Sequence, residues 1–192
     1  FSNRILPDYD RDPDLIVYRN LQGHGTVRGL SANLEARFGE RWRGMAGATW
    51  LKAFIVEQGR STEQMLTPGW SGTFAVGYEQ RAFGSIDLTG QWYGPMRLPV
   101  QPNDFRAERS PWHALMNVQY RRSLFDRLEV YCGVKNLLDF VPRDPIMRPF
   151  DPFDQRVGDQ ASNPHGYTFD TTYMYAPMQG RRWFLGLRFT WS

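Results

Sequence analysis

The chain closes on GRRWFLGLRFTWS, residues 180–192. Trp183, Leu185, Leu187, Phe189 and Trp191 alternate without a miss, and Arg182, Gly186, Arg188 and Thr190 fill most of the gaps. Phe184 breaks the polar set. A period of two is the signature of a strand with one apolar face, so the fold must give that face either a protein core or lipid to touch. Spacing bears on the choice. Trp183 and Trp191 lie eight residues apart, which is roughly 26 Å along a strand at about 3.3 Å per residue. Tilted by about 40°, the strand covers roughly 20 Å of depth, close to the roughly 25 Å apolar band that aromatic girdles flank in outer-membrane barrels. Tryptophan suits both edges of such a band because its ring is apolar while its N–H wants water. A sandwich strand with large inward residues is the other reading of this one segment.

The same alternation recurs along the chain, cut by turn-rich breaks. In RGLSANLEARF (Arg28 to Phe38), Leu30, Ala32, Leu34, Ala36 and Phe38 share a face against Ser31, Asn33, Glu35 and Arg37. Ser71 to Ala82 sets Phe74, Val76, Tyr78 and Ala82 against Thr73, Gly77, Glu79 and Arg81. Ser85 to Tyr93 sets Ile86, Leu88 and Trp92 against Asp87, Thr89 and Gln91. Ala114, Met116, Val118 and Tyr120 oppose Asn117, Gln119 and Arg121, and Leu128, Val130, Cys132 and Val134 oppose Glu129, Gly133 and Lys135. Trp42 to Phe54 is ambiguous, being small and apolar on both faces with Trp42 and Trp50 near its ends. Phe1 to Pro7 reads as one strand, and Leu15 to Phe38 as one long strand bent near Gly23 to Gly25, too long merely to cross a bilayer. That makes eight strands and no convincing amphipathic helix.

Break lengths alternate as well. Tight turns are expected at Gly39 to Arg41, Phe83 to Ser85 and Leu124 to Asp126. Longer loops fall near Glu57 to Gly69, Pro95 to Pro111 and, longest, Asp139 to about Gly180. Short turns at one end and long loops at the other fit an outer-membrane barrel. A soluble sandwich gives no reason for that segregation. Composition is compatible: only 41% of the 192 residues are hydrophobic and no stretch could form a membrane-spanning helix, but barrel strands dilute each lipid-facing residue with a polar one. A net charge of +3, spread among acids and bases, carries no nucleic-acid footprint. The single cysteine, Cys132, excludes an internal disulfide.

Several motifs then become specific. GVKNLLD (Gly133 to Asp139) resembles the penultimate-strand motif of TonB-dependent outer-membrane receptors, and QGRRWFLGLRFTW resembles their last strand. RGLSANLEARF and FSNRI resemble strands that precede these, so the ordered set resembles the C-terminal part of the ferric-enterobactin and colicin I receptor branch. The resemblance implies an all-β, antiparallel transmembrane barrel segment, residues 1–192 supplying about eight strands of a roughly 22-stranded wall. It implies a bacterial outer-membrane location and TonB-dependent import of a scarce nutrient, a ferric siderophore above all. Partners implied are outer-membrane lipid, the small-molecule substrate, the remaining strands and plug of the receptor or a separate chain completing the barrel, and TonB through that plug. Nothing in the chain resembles the plug, and Ser192 displaces the family's terminal aromatic by one residue. Two other readings stay open: a self-contained eight-stranded barrel serving as anchor or adhesin, and a secreted β-sandwich binding protein.

No catalytic constellation is legible, and the chain reads as a non-enzyme without cofactor. His24, His113 and His165 are far apart, and the acids of FDPFD (Phe150 to Asp154) are too sparse for a calcium loop. The longest loop is the best functional candidate. Arg143, Arg148 and Arg156 accompany Phe150, Phe153, Phe169, Tyr167, Tyr173 and Tyr175. Arginines among aromatics suit capture of an anionic, ring-bearing ligand by charge and cation–π contact, and Arg143 and Arg148 are expected to be water-exposed. The alternative is a loop folded on its own aromatic side chains. Trp183, Leu185, Leu187, Phe189 and Trp191 are expected to face lipid, and Arg37, Glu35, Glu79, Arg81, Asp87, Gln119, Glu129, Lys135 and Arg188 the lumen.

Overall fold

Alternation of apolar and polar residues becomes, in three dimensions, an unbroken run of antiparallel ladders. The computed structural model describes residue 2 and residues 5–8, 17–125 and 127–191. Its strands are β1 (Ile5–Asp8), β2 (Val17–Asn20), β3 (Gly23–Phe38), β4 (Trp42–Glu57), β5 (Arg60–Glu63), β6 (Trp70–Gln80), β7 (Gly84–Tyr93), β8 (His113–Phe125), β9 (Leu128–Lys135) and β10 (Arg182–Phe189). Eight form one sheet in the order β10-β9-β8-β7-β6-β4-β3, with β5 beside the upper part of β4, while β1 and β2 pair separately. No helix occurs among the described residues. Among the described residues β3 and β10 do not pair, so the sheet is open rather than closed into a small barrel.

Four expectations are refined. The ambiguous Trp42 to Phe54 segment is a strand that runs on to Glu57. The long strand expected from Leu15 is interrupted at residues 21–22 into β2 and β3, and the part before residue 17 lies outside the described residues. For the first strand, Ile5–Asp8 is a strand and Ser2 bridges His24, while residues 1, 3 and 4 lie outside the description. The turn before β7 falls at 81–83, so Arg81 is in a turn rather than on the lumen wall and Ser85 already belongs to β7.

Register assigns the two faces. Trp183 pairs with Val134, which pairs with Val118, then Leu88, Val76, Gly44 and Ala36: one apolar row across seven strands. Leu185 and Leu187 on β10 and Leu30 and Leu34 on β3 project from this face and are 68–76% exposed. Burying such side chains in hydrocarbon relieves water of their apolar area, and a face this apolar has no water-stable alternative within the sheet. The opposite face carries the row Arg37, Arg43, Gly77, Asp87, Gln119 and Gly133, ending on Phe184. Arg43 donates to Asp87 at 2.8 Å across the intervening β6, a path open because a Cβ at Gly77 would meet the Arg43 Nε at 2.5 Å. Phe184 faces the lumen because Gly133 leaves a flat place for its ring, a Cβ there meeting the ring at 2.6 Å. Lower down, Arg188 and Arg121 flank Glu129.

Tilt can be read from the tryptophans. In strands about 4.8 Å apart and tilted about 40°, a line of constant depth climbs about 4 Å, or 1.2 residues, per strand. Five strands from β10 to β4 therefore require an advance of about six residues. The row-mate of Trp183 on β4 is Gly44, and six residues beyond it stands Trp50. Trp92 and Trp70 fall near the same oblique line; eight residues lower, Trp42, Tyr78, Phe83, Phe125 and Trp191 trace the other girdle. Trp42 packs on Tyr78 with ring centroids 4.7 Å apart, and Phe83 on Tyr120 at 5.4 Å. Short turns lie at this second edge and the loops 94–112 and 136–181 at the first.

Replacing Leu187 with Arg should cost roughly 2–4 kcal/mol of assembly near mid-membrane. The expected result is less heat-modifiable protein in the outer membrane; wild-type levels would show that β10 does not face lipid.

Candidate functional site

Among the described residues, the buried apolar cluster lies beyond the long-loop end of the spanning sheet, touching it only at Tyr93 of β7. Met96, Leu98 and Tyr173 form it, with Tyr93, Val100 and Tyr175 packed around them. It therefore belongs to the loops 94–112 and 136–181, where polar partners are supplied almost residue by residue. GVKNLLD explains the base of the longer loop. Asn136 and Asp139 adopt φ of 52° and 57°, left-handed conformations that Asn and Asp tolerate best among non-glycine residues. The Asn136 Nδ2 donates to the carbonyls of Phe140 and Gln179 at 2.8 and 3.1 Å, and Asp139 accepts the Arg181 N–H at 2.6 Å. Both stems of a long loop are thereby pinned together above β9 and β10.

The two loops are also locked to each other. Gln101 Nε2 donates to the Thr168 carbonyl at 3.1 Å while the Thr168 N–H returns a bond to Gln101 Oε1 at 3.0 Å. Tyr167 and Tyr173 hydroxyls donate to the carbonyls of Asn103 and Ala107, each at 2.7 Å. At the centre, Arg106 donates to Asp104 at 2.8 Å and to Asp170 at 2.8 Å, with its guanidinium 4.2 Å from the Tyr173 ring centroid. These three ionic side chains are 1%, 2% and 8% exposed. Burial alone would raise the Asp104 carboxyl, but bonds from the Arg106 guanidinium and from the backbone N–H groups of Arg106 and Gln101 hold it below its ordinary value. Burial works against the Arg106 charge too, and its two carboxylates more than reverse that. The Tyr173 and Tyr175 hydroxyls are pushed up, chiefly by burial.

This geometry sorts the expected ligand residues. Arg148 is not water-exposed as expected: it is 6% exposed, bonds Asp151 at 2.9 Å and the Arg156 carbonyl at 3.3 Å, and lies over the Phe150 ring. Asp151 in turn accepts the Gln155 and Arg156 N–H groups, each at 3.0 Å, and its carboxyl is held low first by Arg148. Arg148 thus shapes the loop, and so does the buried Tyr173. Arg143 and Arg156 do remain exposed, as do Phe150, Phe153 and Phe105, and Tyr167 and Tyr175 are half-buried. Phe105 meets Tyr167 edge-on at 6.0 Å. His113 stacks between Phe140 and Tyr93, and no group of three or more potential metal ligands converges among the described residues. Below the loops, a lumen-side cavity of 520 Å³ is lined in part by Thr73, Gln91, Asn117, Lys135, Gln179 and Arg182. Sequence reading missed Asp104, Arg106, Asp170 and Gln101; a residue pair two apart in the shorter loop was a local signal, but its partners more than 60 residues away left none.

Comparison with known proteins agrees with the sheet. The family model described as TonB dependent receptor-like, beta-barrel matches residues 1–137. No curated protein sequence matches. The fold is similar to that of the ferric-catecholate import receptor Fiu of E. coli K12 in its closed form, with TM-score 0.62 and 14% identity over 98% of this chain and 23% of that one. It is similar to the pyoverdine outer-membrane receptor FpvA of Pseudomonas aeruginosa PAO1, bound to pyoverdine, with TM-score 0.63 and 15% identity over 99% and 26%. A copper transporter, OprC, matches with TM-score 0.56 and 12% identity over 90% and 24%. The chain thus spans about a quarter of the length of the structures it resembles.

Replacing Arg106 with Met should strand two buried carboxylates, a loss of about 3–5 kcal/mol. Limited proteolysis should then cut within 94–112 while the sheet stays detergent-resistant. Because the folded Asp104 carboxyl lies below its unfolded value of about 3.9, its contribution is present above that pH and is lost as pH falls through the folded value. Hydrogen exchange in the two loops should accordingly quicken below about pH 4 beyond the intrinsic trend, whereas unchanged protection would remove the network from loop stability.

Proposed function

The chain belongs to the TonB dependent receptor-like β-barrel family, and from that premise we propose that it is the wall segment and part of the ligand-gathering surface of a receptor that imports a ferric siderophore. The family consists of transporters and receptors, not enzymes, and works in the bacterial outer membrane. The single observation that carries the substrate reading is the division of labour in the long loop. Its interior consumes Arg148 and Tyr173, together with Arg106 of the neighbouring loop, in fixing shape, while Arg143 and Arg156 stay exposed beside a surface rich in Phe and Tyr. Cations presented by a rigid loop lose less freedom on binding than mobile ones. An anionic chelate with aromatic rings can take charge-assisted bonds from both arginines and stack on Phe150, Phe153 or Tyr167. That Fiu and FpvA are ferric-catecholate and pyoverdine receptors supports the reading.

In this proposal the remaining strands complete a barrel of roughly 22 strands around a plug, a bore too wide for wall side chains to fill. Polar residues of the inner face, including Asp87, Gln119 and Lys135, then meet the plug through a hydrated interface. Coupling to inner-membrane energy would pass through that plug to TonB.

Charge-assisted contacts contribute about 1.5–3 kcal/mol each, so Arg143→Ala with Arg156→Ala should weaken capture at least about tenfold. Receptor-dependent growth on limiting iron, read with receptor abundance across a panel of siderophores, tests this. Normal abundance with lost uptake is expected for the pair. Arg148→Ala should instead lower loop order and uptake together. Undiminished uptake of every siderophore by the double variant would overturn the assignment.

A further inference from the structure

The lipid-facing side of the sheet carries a directly opposed pair of cations near its long-loop end. Arg28 on β3 and Lys52 on β4 are directly opposed in register, and both are exposed. They continue the outward row of Leu30 and Trp50, one step further toward the long-loop end. That step is roughly 7 Å along the strand, which sets the two cations at the upper edge of the apolar band. Like charges directly opposite destabilise a strand pair, and neither side chain has an ion-pair partner among the described residues. The Lys52 ammonium instead lies 5.6 Å from the Trp50 ring centroid.

Beside these cations the wall opens into a groove. Trp50 pairs with Trp70, but above that point β4 takes β5 as its neighbour and parts from β6. The gap is a groove of 280 Å³ bounded by Trp50, Lys52, Phe54, Glu63, Thr67 and Trp70. Trp50, Lys52 and Phe54 share the outward face by alternation, and Glu63 is opposite Phe54 in register. The one carboxylate there, Glu63, is already paired with Arg109. An apolar lower part of two tryptophans, with cations above it at the membrane boundary, is complementary to one kind of molecule: an amphiphile whose anionic group sits where its hydrocarbon begins.

We propose that this groove binds the phosphorylated headgroup of an outer-leaflet glycolipid, with Arg28 and Lys52 on the phosphate and Trp50, Trp70 and Phe54 against the sugar and first methylenes. The bound phosphate screens the two cations from each other and offsets their opposition. Placing one lipid here also covers the place where β4 and β6 separate and where the sheet has no continuous ladder.

The test uses the intact receptor, purified in detergent and stripped of lipid, and native mass spectrometry with bisphosphorylated lipid A. The same lipid after phosphatase treatment is the comparison, and inorganic phosphate in excess is the competitor. Retention of the phosphorylated form should exceed that of the dephosphorylated form by about tenfold, the loss expected for one strong charged contact. Arg28→Gln with Lys52→Gln should abolish the difference while the heat-modifiable band persists. Equal retention of the two lipids by wild type overturns the proposal without reference to any variant. Full displacement by inorganic phosphate overturns it too, since the groove would then hold a free anion rather than a lipid. Siderophore uptake is a separate readout, so failure here leaves the transport reading to its own test.

Discussion

Hydrocarbon tolerates no unpaired backbone polar group, since each costs several kcal/mol there, and the architecture follows from that prohibition. Strands satisfy their N–H and C=O groups on neighbours, so each long strand must lie between two others and every residue's face becomes fixed by its ladder partner. A slip of one residue would turn Leu185 and Leu187 into the bore and Arg188 into lipid. Register is thus enforced on every strand by the same penalty. The oblique line through Trp183, Trp92, Trp70 and Trp50 is its visible result: depth in the membrane, not position in the ladder, decides where indole rings belong.

With the wall so constrained, freedom to vary in sequence and shape is left to the loops. These obey a different rule, for they fold in water around a small apolar cluster and cannot use continuous ladders. Asx-type contacts at Asn136, Asp151 and Asn163 replace them, each side chain closing a turn on nearby backbone groups, while Asp139 ties one stem of the long loop to the other. The buried Arg106 then joins the two loops through Asp104 and Asp170. Such a network adds little net stability over an apolar one, but loss of either partner would leave a buried charge without its counter-ion.

How much of this could be read in the sequence follows from the range of each interaction. The spanning strands were legible because one alternating period encodes both secondary structure and face, and loop lengths encoded which end is which. Phe184 broke the pattern because its place depends on Gly133 of the adjacent strand, a relation no single segment carries. β5 was invisible, being four polar residues that pair only because β4 outruns the membrane. In the loops, residue type could not distinguish Arg148, which is enclosed, from Arg143, which is not; Asp151 three residues on was the local hint. Arg106 and Asp170 are brought together by the fold alone.

Consider finally the inner face where Arg43 reaches Asp87 over Gly77, and where Phe184 lies over Gly133. Long side chains here recline along the sheet instead of standing toward the axis, because the residues beneath them have no Cβ. At these two places the inner surface therefore has low relief. A body filling the bore would meet those patches as a journal meets a smooth bearing, with no projecting side chain there to disengage first.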